Sequence, residues 1–128
     1  MILLDTNYLI RLLVPGTEEA NAVLGWSRER VPLVTSAVCW YEFSCGPVTD
    51  REKALVRSLL GPILPLGEPE ADRAAELFNR LGRLRTLRVD CLVAGTALVA
   101  DARVASSNLR DFTAFVPMGL QLTKAAGN

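Results

Sequence analysis

The chain opens with Met1-Ile-Leu-Leu-Asp5-Thr-Asn7, in which an apolar run ends directly in an acid, a hydroxyl and an amide side chain. Residues 2–4 contain no glycine or proline and predict a short buried strand, and the polar residues after them predict a helix start. Ligands of open α/β sheets bind beyond the carboxyl ends of the strands, which makes Asp5 a candidate site residue. A helix N-cap role explains the same residue equally well.

Short apolar runs alternate with helical patterns along the rest of the chain. Further strands are predicted at 32–35, 63–66, 104–106 and 119–123, helices at 8–14, 17–30, 35–45, 49–60, 70–84 and 91–102, and a loop or single turn at 108–112. The last helix is apolar nearly all round and should be buried. This order predicts an α/β fold, with a short parallel sheet of four or five strands and helices on both faces. We expect one domain over 1–128, with 124–128 as a disordered tail.

The chain has 14 basic and 14 acidic residues among 128, and it contains no histidine. Neutrality argues against a strongly basic nucleic-acid clamp, although a local patch can still bind. Without histidine, catalysis must rely on carboxylates, hydroxyls, Lys, Arg or a bound metal. Cys39, Cys45 and Cys91 lack zinc or disulfide spacing and are expected to be buried, reduced thiols. No apolar stretch has membrane length and no basic leader precedes the first strand, so we expect a cytoplasmic protein without membrane contact.

Four acids stand in apolar or strand-end contexts: Asp5, Glu42, Asp90 and Asp111. Each has a simple structural alternative, because Glu42 fits an exposed helix face, Asp90 a helix cap and Asp111 a turn. A doubly wound sheet would nevertheless bring the ends of its first and fourth strands together beside helix starts. Clustered carboxylates cannot all stay ionised without a cation between them, and oxygen ligands alone select Mg²⁺ or Mn²⁺. Such an ion can activate a water for attack on a phosphodiester.

Four segments carry these acids: Leu-Leu-Asp5-Thr-Asn, Thr35-Ser-Ala-Val-Cys-Trp-Tyr-Glu42-Phe, Val89-Asp90-Cys-Leu-Val-Ala-Gly-Thr-Ala and Ser106-Ser-Asn108-Leu-Arg-Asp111-Phe. Together, and in this order, they resemble the four motifs of PIN-domain ribonucleases. In length and termini the chain is most similar to the VapC-type toxins of bacterial toxin-antitoxin pairs. The resemblance implies a PIN-like three-layer fold and places the family's first three acids at Asp5, Glu42 and Asp90. The fourth position falls either on Asn108 or on Asp111, which leaves one or two metal ions open.

The resemblance implies a Mg²⁺- or Mn²⁺-dependent endoribonuclease, the toxin of such a pair, that hydrolyses RNA with water as the nucleophile. Thr6 and Ser106 are candidates for hydrogen bonds that orient the carboxylates or waters. Asn7 and Asn108 are further polar residues of the same motifs. Gly95 stands where the family usually has a small residue such as Ala, and it fits a close helix contact.

Two alternative functions stay open, a non-catalytic interaction module on the same fold and a DNA-directed nuclease. A module need not respond to Mg²⁺, which separates it from an enzyme. A basic string near the third acid, formed by Arg83, Arg85 and Arg88, either guides RNA phosphates or is an ordinary solvated helix end.

The resemblance also implies two protein partners. One is a second copy of the chain in a homodimer, for which Trp26, Trp40 and Tyr41 are candidate anchors unless they complete the core. The other is a cognate antitoxin in a hetero-oligomer. Its Arg or Lys would enter the acidic crevice, and its amphipathic segment would lie in an apolar groove formed by Val38, Tyr41 and residues 20–24.

Overall fold

Five short parallel strands form the sheet at the centre of the computed structural model, which describes residues 1–123. The strands are β1 (Ile2–Leu4), β2 (Leu33–Ser36), β3 (Ile63–Leu64), β4 (Arg103–Ala105) and β5 (Leu122–Thr123). All five predicted strands are present, and the predicted α/β fold with a parallel sheet is confirmed. The tail predicted at 124–128 lies outside the described residues.

β1 lies in the middle of the sheet, whose strand order is β3-β2-β1-β4-β5. The chain runs outward from β1 through β2 to β3 and then returns to place β4 on the other side of β1. Leu3 therefore pairs with Val34 on one side and with Val104 on the other, and all three residues are buried. The reversal makes the carboxyl ends of β1 and β4 the switch point at which sheets of this kind bind ligands.

Six α-helices connect the strands within residues 1–123: α1 (Thr6–Arg11), α2 (Glu18–Arg28), α3 (Ala37–Cys45), α4 (Asp50–Leu59), α5 (Glu68–Arg80) and α6 (Arg88–Ala100). Side chains cap the first four of them, namely Asp5, Thr17, Ser36 and Thr49. Each cap accepts a hydrogen bond from a backbone N–H that the helix itself leaves unpaired. A 3₁₀ turn (Arg85–Leu87) precedes α6, and a longer 3₁₀ segment (Leu109–Met118) follows β4.

Most predicted boundaries differ from the structure by one to four residues. The helix predicted at 70–84 ends at Arg80, because Gly82 and Arg83 adopt positive φ angles of 86° and 60° that a right-handed helix cannot contain. The helix predicted at 8–14 is the shorter α1 and begins two residues earlier. The loop or single turn predicted at 108–112 is the beginning of the 3₁₀ segment, which Gly119 ends with a φ of 105°.

Helix α6 lies in the core, as its apolar sequence predicts. Most of its residues from Cys91 to Ala97 are buried, and α5 packs along it. The two helices approach most closely where Gly95 faces Ala74: a Cβ added at Gly95 would lie 2.8 Å from the Ala74 backbone nitrogen. The predicted close helix contact at Gly95 is therefore confirmed, and at this spacing even an alanine does not fit without movement.

Two expectations about individual side chains are wrong in part. Cys39 and Cys91 are buried free thiols as predicted, but Cys45 is exposed near the end of α3. Trp26 is only 9% exposed and stacks on Tyr8 in the core, so it cannot anchor a dimer. Trp40 is half-buried against Phe43, whereas 69% of Tyr41 is exposed.

No helix in the part of the chain that the structure describes combines the length and the apolar character needed to cross a membrane.

We predict that Gly95→Ala lowers the free energy of unfolding by about 1–3 kcal/mol, because the added methyl group must push α5 and α6 apart. The measurement is urea unfolding monitored by circular dichroism. The matched control is Gly25→Ala in α2, where an added Cβ meets no atom within 4 Å. That substitution should stabilise the protein by roughly 0.5–1 kcal/mol through helix propensity alone. A Gly95→Ala variant as stable as the unmodified protein would contradict the close contact.

Candidate active site

Asp5 stands at the switch point and binds partners from three directions. Its Oδ1 accepts a hydrogen bond from the Thr6 backbone N–H at 2.9 Å, which caps α1. The Ser106 hydroxyl donates to Oδ2 at 2.8 Å, and the Cys39 thiol donates to Oδ1 at 3.5 Å. The two roles proposed for Asp5 are therefore compatible, since it caps the helix and still projects beyond the end of β1.

Ser106 follows β4 directly, and its hydroxyl has a defined direction. The Oγ atom accepts a hydrogen bond from the Asn108 backbone N–H at 3.0 Å while it donates to Asp5. The Asp5 backbone N–H also donates to the Ala105 carbonyl at 2.9 Å, which continues the pairing of β1 and β4 to the site itself. Ser106 thus holds one carboxylate oxygen of Asp5 from the neighbouring strand.

Cys39 is a partner of Asp5 that the sequence did not single out. Burial, together with the negative charge of Asp5, raises the pKa of its thiol to about 12, so the sulfur stays protonated and can donate. Ser36 caps α3 through the Cys39 backbone N–H, and Glu42 lies three residues further along the same helix. Residues three apart in a helix lie close to one face, so the spacing of Cys39 and Glu42 was the sequence signal that could have placed Cys39 near the acids.

Glu42 lies on the exposed side of α3 and is held by Thr6. The Thr6 hydroxyl donates to the Glu42 Oε1 at 2.9 Å. Glu42 is exposed, as the structural alternative expected. Its side chain is nevertheless bound to Thr6, which lies in the same motif as Asp5. Two consecutive residues thus contact two different parts of the fold. Asp5 binds Ser106, which follows β4, and Thr6 binds Glu42 on α3.

Asp90 is the third residue of α6, which begins at Arg88 after Leu87 as its N-cap. The capping alternative for Asp90 is therefore wrong. Burial is the largest of the causes that raise the pKa of Asp90 from 3.8 to about 6, and the charges of Asp111, Asp5 and Glu42 contribute after it, in that order. These effects outweigh the favourable N-terminal end of the helix, which typically contributes less than about 1 kcal/mol.

Asp90 is the residue on which the charges of the three other predicted acids act. Asp111, although exposed on the 3₁₀ segment, contributes the strongest of the three carboxylate effects. Asn108 is exposed, and its backbone rather than its side chain contacts Ser106. The electrostatic effect on Asp90 thus comes from Asp111, and Asp111 rather than Asn108 stays the candidate for the fourth acid.

The donor set fits a hard divalent cation in charge and in chemistry. Within residues 1–123, no three acidic or cysteine side chains lie close enough together to form a ready-made metal cage. The carboxylates nevertheless act on one another electrostatically, and a cation would relieve that repulsion. An ion that keeps several of its waters, as Mg²⁺ does, suits a wider spacing of oxygen ligands. Mn²⁺ also accepts carboxylate and water ligands.

The remaining predicted residues lie on α1, on α6 and in the connection before α6. Asn7 is half-buried in α1. The exposed Arg83 and Arg85 lie in the connection between α5 and α6. The Arg88 guanidinium lies 5.8 Å from the centre of the Phe78 ring of α5. Because successive helical residues are about 100° apart, Arg88 faces about 200° away from Asp90 around α6.

An apolar groove of about 390 Å³ adjoins Glu42. It is lined by Ala37, Val38, Tyr41, Glu42, Leu66, Val89 and Leu92. Val38 and Tyr41 were expected there, but the other wall comes from α6 and the residues after β3 rather than from residues 20–24. Ala22 and Val23 of that stretch are buried in the core, which corrects the predicted groove.

The fold is a doubly wound α/β sheet, and the site places Asp5 at its switch point. The family model of the PIN domain matches residues 2–115, and the chain belongs to this family. PIN domains are nucleases, and they generally use divalent metal ions. The resemblance of the four motifs to this family is therefore confirmed.

Solved structures of similar fold come from several bacteria. A chain of FitAcB from Neisseria gonorrhoeae is 24% identical with a TM-score of 0.70, covering 98% of this chain and 97% of that one. A chain of a toxin-antitoxin complex from Klebsiella pneumoniae is 24% identical with a TM-score of 0.69, covering 88% of this chain and 91% of that one. A chain of VapBC2 from Rickettsia felis, bound to a promoter DNA fragment, is 18% identical with a TM-score of 0.72, covering 98% of this chain and 100% of that one. At these identities the likeness concerns the fold. No curated protein sequence matches the chain.

We predict that Asp90→Asn stabilises the protein at pH 7 but not at pH 4. Because the pKa of Asp90 is raised to about 6, the folded state binds more protons than the unfolded state between about pH 4 and pH 6. The contribution of Asp90 to stability is thus complete below about pH 4 and is lost as the pH rises through about 6. After allowance for solvent screening, we expect a gain of about 1 kcal/mol at pH 7, or roughly 3–5 °C in Tm.

The measurement is thermal unfolding of both proteins from pH 4 to pH 7 in a metal-free buffer. Asp72→Asn is the matched control, because it removes an exposed carboxylate from α5. A difference in Tm between Asp90→Asn and the unmodified protein that is the same at every pH would contradict the shifted pKa.

Proposed function

We propose that this protein is a metal-dependent endoribonuclease and the toxin of a toxin-antitoxin pair. The proposal rests on the match to the PIN domain over residues 2–115 and on the geometry at the switch point, where Ser106 binds Asp5 and Thr6 binds Glu42. The raised pKa of Asp90, to which burial and the charges of Asp111, Asp5 and Glu42 contribute, supports it. A group of carboxylates with this mutual influence suits a divalent cation at the switch point of the sheet. The likeness of the four motifs to PIN-domain ribonucleases supports RNA as the substrate. An RNA substrate in turn makes the cytoplasm the expected compartment.

Asp5, Glu42, Asp90 and Asp111 would hold Mg²⁺ or Mn²⁺. When bound, such an ion supplies an activated water for attack on the phosphodiester and neutralises the charge that develops on it. The chain supplies the orientation of the ligands: Ser106 fixes one oxygen of Asp5, and Thr6 fixes one oxygen of Glu42. Hydrogen bonds of this kind set the direction of a carboxylate and tune its affinity for metal.

The other polar and basic residues have supporting roles in this proposal. Asn7 and Asn108 lie in the first and fourth motifs, beside Asp5 and Asp111. The exposed Arg83 and Arg85 lie before α6, where they can approach phosphates of a bound RNA. Arg88 contacts Phe78 and faces away from Asp90, so its contribution would be the weakest of the three arginines.

An antitoxin is the proposed partner of the groove beside Glu42. The similar structure from Klebsiella pneumoniae is a toxin-antitoxin complex, which supports a partner of this kind. The groove is almost entirely apolar and ends at an acid, so it suits an amphipathic segment with an Arg or Lys near one end. A homodimer of one domain per chain, with Tyr41 as an anchor, would add a second copy to the assembly.

We predict that Asp5→Asn and Asp90→Asn each lower Mn²⁺-dependent RNA cleavage at least about 100-fold, because each removes a charged ligand. Both variants should stay folded, since Asn at position 5 can still cap α1. The assay follows cleavage of total RNA and of a single-stranded DNA of equal length. Mn²⁺ should also raise the Tm of the unmodified protein and of the Asp72→Asn control, but not that of the two site variants.

Undiminished cleavage by either site variant would refute the proposed ligands. Cleavage of the DNA alone would replace the ribonuclease with a DNA-directed nuclease. A protein that neither cleaves RNA nor responds to Mn²⁺ would be a non-catalytic interaction module.

We predict that the chain arrests growth when expressed alone, and that co-expression of its neighbouring small reading frame restores growth and yields a co-purifying complex. Val89→Glu places a charge in the groove and should abolish the complex. Val99→Glu is the matched control, because Val99 lies on the same helix with the same exposure, 45% against 44%, outside the groove. Healthy growth without the partner and no complex would refute the toxin assignment. If light scattering instead shows a dimer that Val89→Glu dissociates and Val99→Glu does not, the groove binds a second copy of the chain.

A further inference from the structure

Glu19 is a buried acid outside the four motifs. It lies in the first turn of α2, and its side chain is only 8% exposed. The Arg11 Nε donates to the Glu19 Oε1 at 2.9 Å, and the Ser107 hydroxyl donates to Oε2 at 3.0 Å. A buried carboxylate is costly unless a charge and hydrogen bonds compensate it, and here both oxygens have partners.

The Glu19 side chain is ionised at neutral pH. Burial acts to raise its pKa, but the hydrogen bonds from Arg11 and Ser107 and the charge of Arg11 reverse this effect and lower the pKa below its ordinary value. Hydrogen bonds to an ionised acceptor are stronger than those between neutral groups. The bond from Ser107 to Glu19 is therefore a strong attachment for an exposed loop residue.

This attachment lies directly beside the candidate active site. Ser107 is in the loop that joins β4 to the 3₁₀ segment, and the preceding residue, Ser106, donates to Asp5. The two hydroxyls bind acids on different elements, Asp5 at the end of β1 and Glu19 in α2. The loop is thus fixed from both sides just before it continues to Asp111.

We propose that Glu19, with Arg11 as its counter-ion, is a positioning residue for the acidic site. By holding Ser107, it fixes the loop so that Ser106 keeps its bond to Asp5 and Asp111 stays beside Asp90. The part of this inference that concerns metal affinity rests on the proposed function, whereas the part that concerns the loop does not.

The first test removes only the hydroxyl of Ser107. Because Ser107 is itself exposed, Ser107→Ala should leave the fold intact and lower the Tm by only a few degrees, as expected for the loss of its one hydrogen bond to Glu19. It should accelerate hydrogen exchange of the Asn108 amide about tenfold, because this N–H is bound to Ser106 Oγ. Thr113→Ala is the matched control: it removes an exposed hydroxyl in the following 3₁₀ segment that binds only the nearby Arg110 carbonyl. Ser107→Thr should retain the slow exchange.

The second test measures Mn²⁺ binding by calorimetry. Ser107→Ala should weaken the affinity about three- to tenfold, and Glu19→Gln should weaken it at least as much, whereas Thr113→Ala and Ser107→Thr should match the unmodified protein. If the role of Glu19 is purely structural, Glu19→Gln will lower the Tm, and Ser107→Ala will change neither the exchange rate of the Asn108 amide nor the Mn²⁺ affinity.

The outcomes separate the two proposals. Unchanged Asn108 exchange in Ser107→Ala would overturn the positioning role even if the unmodified protein binds Mn²⁺. Faster exchange with unchanged Mn²⁺ affinity would confine Glu19 to loop order and overturn its role at the site. If the unmodified protein binds no Mn²⁺, the proposed function fails, and the exchange rate still decides whether Glu19 holds the loop.

Discussion

The register between β1 and β4 is the constraint on which the site depends. Leu4 pairs with Ala105, and these are the last residues of the two strands. The residues that follow them, Asp5 and Ser106, therefore lie side by side and form the 2.8 Å hydrogen bond. A shift by one residue would turn the side chains of one strand to the opposite face and separate this pair. The buried partners Leu3 and Val104 oppose such a shift, because it would disrupt their close packing in the core. The apolar core thus determines where the first acid lies.

At neutral pH, Asp90 reduces the stability of the fold that holds it. At neutral pH, Asp90 must carry its charge in a half-buried place near three other carboxylates, which is the cause of its raised pKa. The surrounding structure compensates for this cost. Asp90 stands at the start of α6, whose buried residues pack against α5 at the distance that Gly95 allows. A rigid helix can hold an unfavourable charge in place, and a charge so held favours a cation.

The sequence was sufficient to predict the strands and the position of Asp5 at the end of the first one, because both depend on local patterns. The apolar run before Asp5 predicts the strand, and the reversal of a doubly wound sheet predicts that Ser106 comes near it. Contacts between distant residues leave no such pattern. Glu19 and Ser107 are 88 positions apart, and Glu19 looks like an ordinary acid in a first helical turn. Cys39 likewise looks like a simple core thiol, although its donation to Asp5 depends on how α3 meets β1.

The balance of charge also differs between the chain and its site. The 14 basic and 14 acidic residues cancel over the whole sequence. Within the described residues, however, the ion pairs are Arg11–Glu19, Arg73–Glu76 and Arg80–Glu76, and none of them includes Asp5, Glu42, Asp90 or Asp111. The excess negative charge at the switch point is therefore left for a group from outside to neutralise. A divalent cation and the guanidinium of a partner protein both satisfy this requirement, and they would compete for the same oxygens. In the proposed function, the charge that would bind a metal ion would therefore also allow an antitoxin to inhibit the enzyme.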